Sequence, residues 1–182
     1  MSANCTPLGV TVENPNFLLP NKFQLNFSRL PNVQYFCQEA NLPGLSLPEM
    51  PRPTSVVDLY APGNKLVYNR LSIEFLVDAD LKAWMDIHDW MRALTTPVKN
   101  EEYSNLWRRQ TVLDPKQMAQ YADGMLTIYS ALNNPKFRIK YTNLFPTSLS
   151  DIQFSSKGSS EDILTATVDF RYDYYEIERL GS

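Results

Sequence analysis

The last long segment of the chain, residues 162–175, constrains the fold most, because apolar and polar side chains alternate over its whole length. Alternation with a period of two is the pattern of a β-strand that buries one face. On the two faces, Leu164, Ala166, Val168, Phe170, Tyr172 and Tyr174 alternate with Thr165, Thr167, Asp169, Arg171, Asp173 and Tyr175. The run is longer than the usual strand, so it predicts a long strand within a sheet.

Other segments show the same strand pattern. In residues 22–29, Phe23, Leu25 and Phe27 share one face. A turn at residues 30–32 follows, and residues 33–40 read as a returning strand, which predicts a hairpin. The remaining long predicted strands are 65–78, 124–131 and 137–144.

Proline is concentrated near the start, since nine of the 13 prolines lie in the first 62 residues. Each proline fixes its own φ and removes a backbone donor, so this region must hold arms and turns around a few strands. We therefore expect an N-terminal arm at residues 1–16 and a single domain at 17–182. Within the domain, residues 43–70 are predicted to project as a hairpin, with a first arm at 55–60 and a tip near Gly63.

Residues 80–95 are predicted to form the principal helix, capped by Asp78 or Asp80 and ended before Pro97. Its apolar positions cover about 220° of the helical wheel, more than the stripe of about 100° or somewhat wider that is usual for a surface helix. A second covering surface, beyond the chain's own sheet, is expected to be a neighbouring subunit. The candidates for this contact are Trp84, Ile87, Trp90 and Leu94.

The sequence thus predicts about seven strands and one principal helix. Because hairpins connect the strands, the predicted fold class is mainly β (α+β), an antiparallel β-sandwich or barrel with one flanking helix. Two shorter helices are expected at residues 105–109 and 114–121.

The sequence contains no recognisable catalytic or metal-binding constellation. His88 is the single histidine and lies on the apolar arc of the predicted helix, where a packed ring is expected rather than a base. Cys5 and Cys37 are too far apart for a zinc knuckle or a redox pair, and Asp78 and Asp80 lack the further acidic ligands of a calcium loop. The GxSxG, GxxxxGK[ST] and GxGxxG motifs are also missing. We therefore expect no enzyme activity, no metal and no cofactor.

The net charge of −3 is not that of a protein that grips nucleic acid, which usually has a basic face. A mildly acidic wall would instead repel phosphates, so that DNA would pass without adhering. The chain has no apolar run long enough to span a bilayer and does not open with a secretory signal pattern. Membrane anchoring is therefore not expected.

Two segments resemble the tail tube proteins of contractile-tailed phages. The first is NKFQLNF at 21–27 followed by YFCQEANLPG at 35–44, which matches a strand and then a second strand ending in an A-x-x-LP turn. The second is FRIKYTNLFPTS at 137–148 followed by DIQF at 151–154, which matches a strand, an aromatic-Pro-Thr turn, an acidic residue and a long final strand. The resemblance covers most of residues 17–178.

The resemblance implies a structural subunit of the tail tube, whose hexameric rings stack around a lumen that conducts double-stranded DNA without specific binding. It implies sheath, baseplate and tape-measure proteins as further partners, a place in the virion tail, and assembly in the host bacterial cytoplasm. The candidates for ring stacking are Val56, Val57, Leu59, Tyr60, Leu66 and Tyr68. The candidates for the lumen wall are Glu39, Glu74, Asp169 and Asp173, and which sheet faces inward stays open.

Two other interpretations remain at this point. The chain could be a baseplate tube initiator, or the tube subunit of a related contractile injection device, which differs from a tube protein only in where it assembles. The other is a monomeric ligand-binding β-barrel, which predicts a closed pocket and no ring.

Overall fold

The computed structural model of the chain describes residues 18–95, 104, 120–155 and 163–180. Within these ranges it forms eleven strands and two helices. Their bounds in chain order are β1 (Phe23–Phe27), α1 (Pro31–Phe36), β2 (Cys37–Ala40), β3 (Leu45–Ser46), β4 (Glu49–Arg52), β5 (Leu59–Pro62), β6 (Val67–Tyr68), β7 (Leu71–Leu76), α2 (Lys82–Thr95), β8 (Ala122–Tyr129), β9 (Pro135–Leu149), β10 (Thr165–Arg171) and β11 (Tyr174–Arg179).

Seven of the strands form one antiparallel sheet in the order β1-β8-β9-β10-β7-β2, with β11 also paired to β9. Strand β9 connects the two halves of this sheet because it is 15 residues long and changes partners along its length. Its first part pairs with β8 on one side and β11 on the other, and its last part pairs with β10. The predicted fold class, mainly antiparallel β with one principal helix, is confirmed. This sheet with α1 and α2 is called the body below.

The hydrophobic core lies against the inner face of the sheet and is closed by the helices. Ile73 on β7 and Val168 on β10 are fully buried, as the alternation of their strands requires. Helix α2 adds Ile87 and Trp90, and the Trp90 ring lies 6.2 Å from the ring of Phe170. Each large apolar side chain buried in this way contributes about 1.5–3 kcal/mol, so the core stabilises the sheet and α2 together.

Helix α2 begins at Lys82, two residues later than predicted. The backbone N–H groups of Lys82 and Ala83 donate to the two carboxylate oxygens of Asp78 at 3.0 and 3.1 Å. These bonds satisfy donors that a helix start otherwise leaves open. Of the two predicted caps, Asp78 is therefore the one used, while the carboxylate of Asp80 pairs with the Lys82 ammonium at 2.7 Å.

The predicted strand at residues 33–40 is wrong in its first part, because Pro31–Phe36 forms α1 and only Cys37–Ala40 forms a strand. Pro31 starts the helix, where its fixed φ suits the first turn. The predicted hairpin is also wrong, since β1 pairs with β8 and β2 pairs with β7. Helix α1 instead lies beside β1, where Gln34 Oε1 accepts from the Phe27 N–H at 3.2 Å and Gln34 Nε2 donates to Asn26 Oδ1 at 2.9 Å.

The segment 43–70, called the ribbon below, forms two short strand pairs that are separate from the main sheet. Strand β4 pairs with β5 and β3 pairs with β6, so the tip lies within residues 53–58. The predicted tip near Gly63 is therefore wrong, and the Gly63 N–H instead donates to the Pro48 carbonyl at 2.7 Å inside the ribbon. Thr54 closes the actual tip through hydrogen bonds with the backbone of Val57.

Two long predicted strands are each divided in the structure. Residues 65–78 separate into β6 and β7, and residues 162–175 contain β10 and the start of β11. Both β10 and β11 pair with β9, and Tyr172 and Asp173 lie between them, outside the ladder. The N-terminal arm at 1–16 and the helix at 105–109 fall outside the described residues, as does nearly all of the helix expected at 114–121.

Candidate assembly surface

The ribbon carries most of its apolar side chains in solvent. Val56 and Val57 lie at the tip and are 92% and 60% exposed, and Leu59 and Tyr60 on β5 are 55% and 64% exposed. Leu66, just before β6, is 49% exposed. Exposed apolar side chains concentrated in one segment are typical of a surface that contacts another molecule.

Sequence reasoning missed the facing leg of the ribbon. Leu45, Leu47 and Met50 are also about half exposed, and strand pairing places Leu45 and Met50 beside the second leg. The signal in the sequence was the spacing of these three apolar residues between prolines, which becomes meaningful only once the pairing register is known.

Tyr68, one of the six predicted stacking residues, belongs to a different environment. Its ring makes edge contacts with the rings of Tyr172 and Tyr175 at 5.8 and 5.4 Å. Tyr68 is therefore packed at the base of the ribbon and is not a free stacking residue. The other five predicted residues are exposed in the ribbon.

The predicted subunit contact on α2 needs a larger correction. Ile87 and Trp90 are 0% and 3% exposed, so both are covered by the chain itself. The second covering surface that the wide apolar arc required is supplied by α1, which packs against α2, and Asn32 Nδ2 of α1 donates to Asp86 Oδ2 at 2.9 Å. The Arg29 guanidinium also lies over the Trp90 ring at 4.6 Å.

The other two predicted α2 contacts are partly buried. The Trp84 indole N–H donates to the Ser150 carbonyl at 3.3 Å, and its ring stacks on His88 at 5.2 Å. His88 Nδ1 lies 3.3 Å from Asp89 Oδ1. The histidine is thus held by a ring contact and a neighbouring carboxylate, and Leu94 packs at the edge of the core.

Three of the four predicted lumen residues share one surface. Residues 71, 73 and 75 of β7 are buried, so Glu74 faces away from the core, and the same alternation on β10 turns Asp169 outward. Glu39 lies directly opposite Glu74 in the register of β2 and β7, an arrangement in which like charges repel. Asp173 lies apart from this surface, in the break between β10 and β11.

The charge of Asp169 is partly compensated by its neighbours. Ser148 Oγ donates to its carboxylate at 2.9 Å, and Arg70 Nη1 lies 3.6 Å away. Partial burial raises the pKa of Asp169, but the hydrogen bonds from Ser72 and Ser148 and the positive charge of Arg70 together outweigh it, so the pKa is lowered. The carboxylate is therefore held in its ionised form.

Groups that could support chemistry are scarce on this surface. Among the residues that the structure describes, no three of histidine, cysteine, aspartate or glutamate converge as metal ligands. Burial raises the pKa of the Cys37 thiol to about 11, against a smaller opposite effect of its hydrogen bond to the Glu39 carbonyl, so the nucleophilic thiolate is disfavoured. No helix in the described ranges has the length and apolar character to cross a bilayer.

The fold agrees with comparisons to known proteins. The model of a family described as phage tail tube protein matches residues 7–178. The chain belongs to the phage tail tube protein family. The match spans the residues of both the body and the ribbon.

Individual relatives agree with this family. The chain is 25% identical to the "Tail tube terminator protein" of Enterobacteria phage T4 over 98% of this chain and 90% of the relative. It has the fold of a chain in the sheath/tube terminator of the extracellular contractile injection system PVC, with a TM-score of 0.57 and 12% identity over 91% of this chain and 99% of that one. Its fold is also that of a chain of the anti-feeding prophage tube terminating cap, with a TM-score of 0.54 and 15% identity over 99% of this chain and 100% of that one.

The family and the T4 relative are structural components of phage tails. This member of the family is therefore a structural component of the virion tail and not an enzyme, which confirms the expectation from its sequence.

Proposed function

We propose that this tail tube protein forms hexameric rings that stack into the tube of a contractile tail. The observation that carries the proposal is the ribbon, where the apolar side chains of Val56, Val57, Leu59 and Tyr60 are exposed to solvent and are not covered by the body. A second subunit that buries these side chains would gain about 25 cal/mol for each Å² of apolar area removed from water. In a stack of rings, a subunit of the next ring would cover these side chains.

Closure of the ring is supported by the edges of the main sheet. Strands β1, β2 and β11 each pair with a single neighbouring strand, and an edge that is not fully paired is a site for pairing with another chain. Six copies joined through such edges form a continuous barrel around a channel, and closing a sheet in this way removes its edges.

The lumen is assigned to the outward surface that contains Glu39, Glu74 and Asp169. Its acidic character suits a wall past which double-stranded DNA moves without specific binding, because like charges keep the phosphates from adhering. The sheath, baseplate and tape-measure proteins are the further partners in this proposal, and assembly takes place in the host bacterial cytoplasm.

Electron microscopy of the purified protein tests the proposal directly. We expect rings and tubes from the natural chain. The double variant Val56→Asp/Val57→Asp places charge at the ribbon tip, so it is expected to form rings that do not stack. Leu132→Asp is the matched control, because Leu132 is 83% exposed in the turn between β8 and β9, outside the ribbon.

The outcomes separate the parts of the proposal. Tubes of normal length from the Val56→Asp/Val57→Asp variant would show that the ribbon is not the stacking surface. Only dispersed monomers of the natural chain at high concentration would contradict the ring and favour a monomeric β-barrel. If the Leu132→Asp control also failed to stack, the effect of an added charge would not be specific to the ribbon tip.

A second candidate is the terminal ring of the tube. It is favoured by the T4 relative, whose name is "Tail tube terminator protein" and which aligns with 98% of this chain. A terminator is expected to form single rings that do not polymerise alone, and antibody labelling of virions would then mark one end of the tail. Labelling along the whole tail would instead support the main tube subunit, and labelling at the baseplate would support a tube initiator.

A further inference from the structure

Side chains of the body hold the base of the ribbon at several points. We infer that this set, called the clamp and consisting of Asn41, Arg171, Tyr172 and Tyr175, fixes the direction in which the ribbon leaves the body. The clamp thereby positions the stacking surface without contacting the next ring. Only this last consequence rests on the proposed function, because the clamp itself is a property of the single chain.

Two tyrosine hydroxyls each bind one leg of the ribbon. Tyr175 Oη donates to the carbonyl of Pro43, where the first leg begins, at 3.2 Å. Tyr172 Oη donates to the carbonyl of Asn69, where the second leg ends, at 2.9 Å. The two hydroxyls therefore fix both legs relative to the same part of the body.

Two further side chains hold the second leg. Arg171 Nη1 donates to the Tyr68 carbonyl at 3.0 Å, a bond strengthened by the charge of the guanidinium. Asn41 Nδ2 donates to the Arg70 carbonyl at 3.2 Å, and Asn41 Oδ1 accepts from the Ser72 N–H at 2.7 Å. Three consecutive carbonyls of the second leg are thus bound by the body.

A cluster of aromatic rings lies beneath these hydrogen bonds. The ring of Tyr141 on β9 makes edge contacts with Tyr172 at 5.1 Å and Tyr175 at 5.9 Å. The ring of Tyr68, at the end of the ribbon, packs onto the same two tyrosines. Edge-to-face packing has a preferred geometry, so the cluster restricts the orientation of the ribbon base as well as its position.

The ribbon depends on the clamp because its own strand pairs are short and stabilise it weakly. Its strand pairs contain two residues per strand for β3 and β6 and four for β4 and β5. An isolated two-stranded ribbon of this size is at best marginally stable in water. Its orientation must therefore be set where it joins the body.

The break between β10 and β11 brings two residues of the clamp to the same side of the chain. Tyr172 and Tyr175 are three residues apart, so regular alternation would place them on opposite faces of one strand. Because Tyr172 and Asp173 leave the ladder, both tyrosines reach the same side and both meet the ribbon.

Hydrogen exchange of the purified chain tests the clamp. The double variant Tyr172→Phe/Tyr175→Phe keeps both rings and removes only the two hydroxyls. We expect backbone amides in residues 43–70 to exchange about fivefold faster or more, because the two lost hydrogen bonds no longer stabilise the closed ribbon. Exchange in β8 and β9 should stay unchanged. Tyr129→Phe is the control, because Tyr129 Oη donates to Gln24 Oε1 at 2.6 Å, far from the ribbon in sequence, and it should leave ribbon exchange unaltered.

Unchanged ribbon exchange in the double variant would overturn the clamp. An equal increase in β8 and β9 would also overturn it, because the hydroxyls would then stabilise the body as a whole.

Assembly is measured separately on the same variants. We expect the double variant to form rings but at least tenfold fewer stacked tubes than the Tyr129→Phe control. Normal stacking despite faster ribbon exchange would overturn the positioning role in assembly. If the natural chain itself forms no tubes, the proposed function fails, while the exchange experiment still decides whether the clamp holds the ribbon.

Discussion

Asn143 and Asp173 are joined across the point where the sheet passes from one half to the other. Asn143 Nδ2 donates to Asp173 Oδ2 at 2.6 Å, and the Asn143 N–H donates to Asp123 Oδ1 at 3.3 Å. Asn143 has a φ of 58°, a left-handed conformation that asparagine tolerates better than most residues. Strand β9 changes its partner from β11 to β10 between Thr142 and Phe145, so the two bonds of Asn143 hold the strand at this change.

The first prediction concerns this left-handed residue. Asn143→Ala should lower the free energy of unfolding by roughly 2–3 kcal/mol, because alanine lacks the polar side chain that offsets the cost of about 1–2 kcal/mol of this conformation and the bond to Asp173 is lost. Asn143→Gly should lower it by only about 1 kcal/mol, since glycine tolerates this φ. Denaturant unfolding measures both, and equal losses would show that backbone conformation is not the cause.

The sequence predicted the strands at this site but not the break in the last one. The alternation through residues 164–174 placed Tyr174 on the inner face, whereas the structure buries part of Tyr175 and leaves Tyr174 44% exposed. Tyrosine has an apolar ring and a polar end, so Tyr174 and Tyr175 are acceptable on either face. Two adjacent tyrosines therefore carry no information about which one points inward.

Helix α1 was missed for a similar reason. Val33 and Phe36 suit a strand as well as a helix, and their burial is decided by contacts with distant parts of the chain. Gln34 covers the edge of β1 only after the chain has folded. The same limit applies to α2, where the wide apolar arc was detected but Ile87 and Trp90 proved to be covered by the chain itself.

The ribbon was predictable in part. The concentration of prolines near the start of the chain indicated a separate segment at 43–70. The position of its tip depends on which residues pair, and both the 53–58 segment and the Pro62-Gly63 pair are good turn sequences. Strand register, which the local sequence does not fix, selects the first.

The second prediction concerns the start of α2. Asp78→Ala should lower the free energy of unfolding by about 1 kcal/mol, because it removes the cap of the helix. Asp80→Ala is the control, since Asp80 is a solvent-exposed partner of Lys82 and such pairs stabilise little. Thermal unfolding should thus separate the two variants. Equal shifts in Tm would mean that the hydrogen bonds to Lys82 and Ala83 are not what stabilises this end of the helix.

The third prediction concerns Gly63 within the ribbon. A Cβ at this position would lie 2.5 Å from the Pro48 carbonyl oxygen, a backbone atom that cannot move aside cheaply. Gly63→Ala should therefore separate the two legs and speed hydrogen exchange in the ribbon while leaving the unfolding of the body almost unchanged.

Gly44→Ala is the matched control for Gly63→Ala. Its Cβ would lie 3.3 Å from Asn69 Nδ2, a side-chain atom that can shift. We expect little change in ribbon exchange from this variant. Comparable effects of the two substitutions would contradict the close approach of Gly63 to Pro48.

The last prediction concerns pH and the tyrosine cluster. Burial raises the pKa of Tyr172 to about 12 and that of Tyr141 further, with the neighbouring tyrosines acting in the same direction. In the unfolded chain a tyrosine ionises at about pH 10, so above that pH the unfolded state binds fewer protons than the folded state. With respect to these groups, the free energy of unfolding should therefore be constant well below pH 10 and fall as the pH rises through 10 and above it.

Tyr141→Phe tests the assignment of this alkaline loss. The Tyr141 hydroxyl is buried and has no hydrogen-bond partner among the described residues. Its removal should raise stability at neutral pH by about 1 kcal/mol and reduce the loss above pH 10. Denaturant unfolding at a series of pH values, with tyrosinate absorbance recorded in parallel, measures both effects. A variant less stable than the natural chain at neutral pH would show that this hydroxyl is hydrogen-bonded, and an unchanged alkaline slope would assign the loss to other groups.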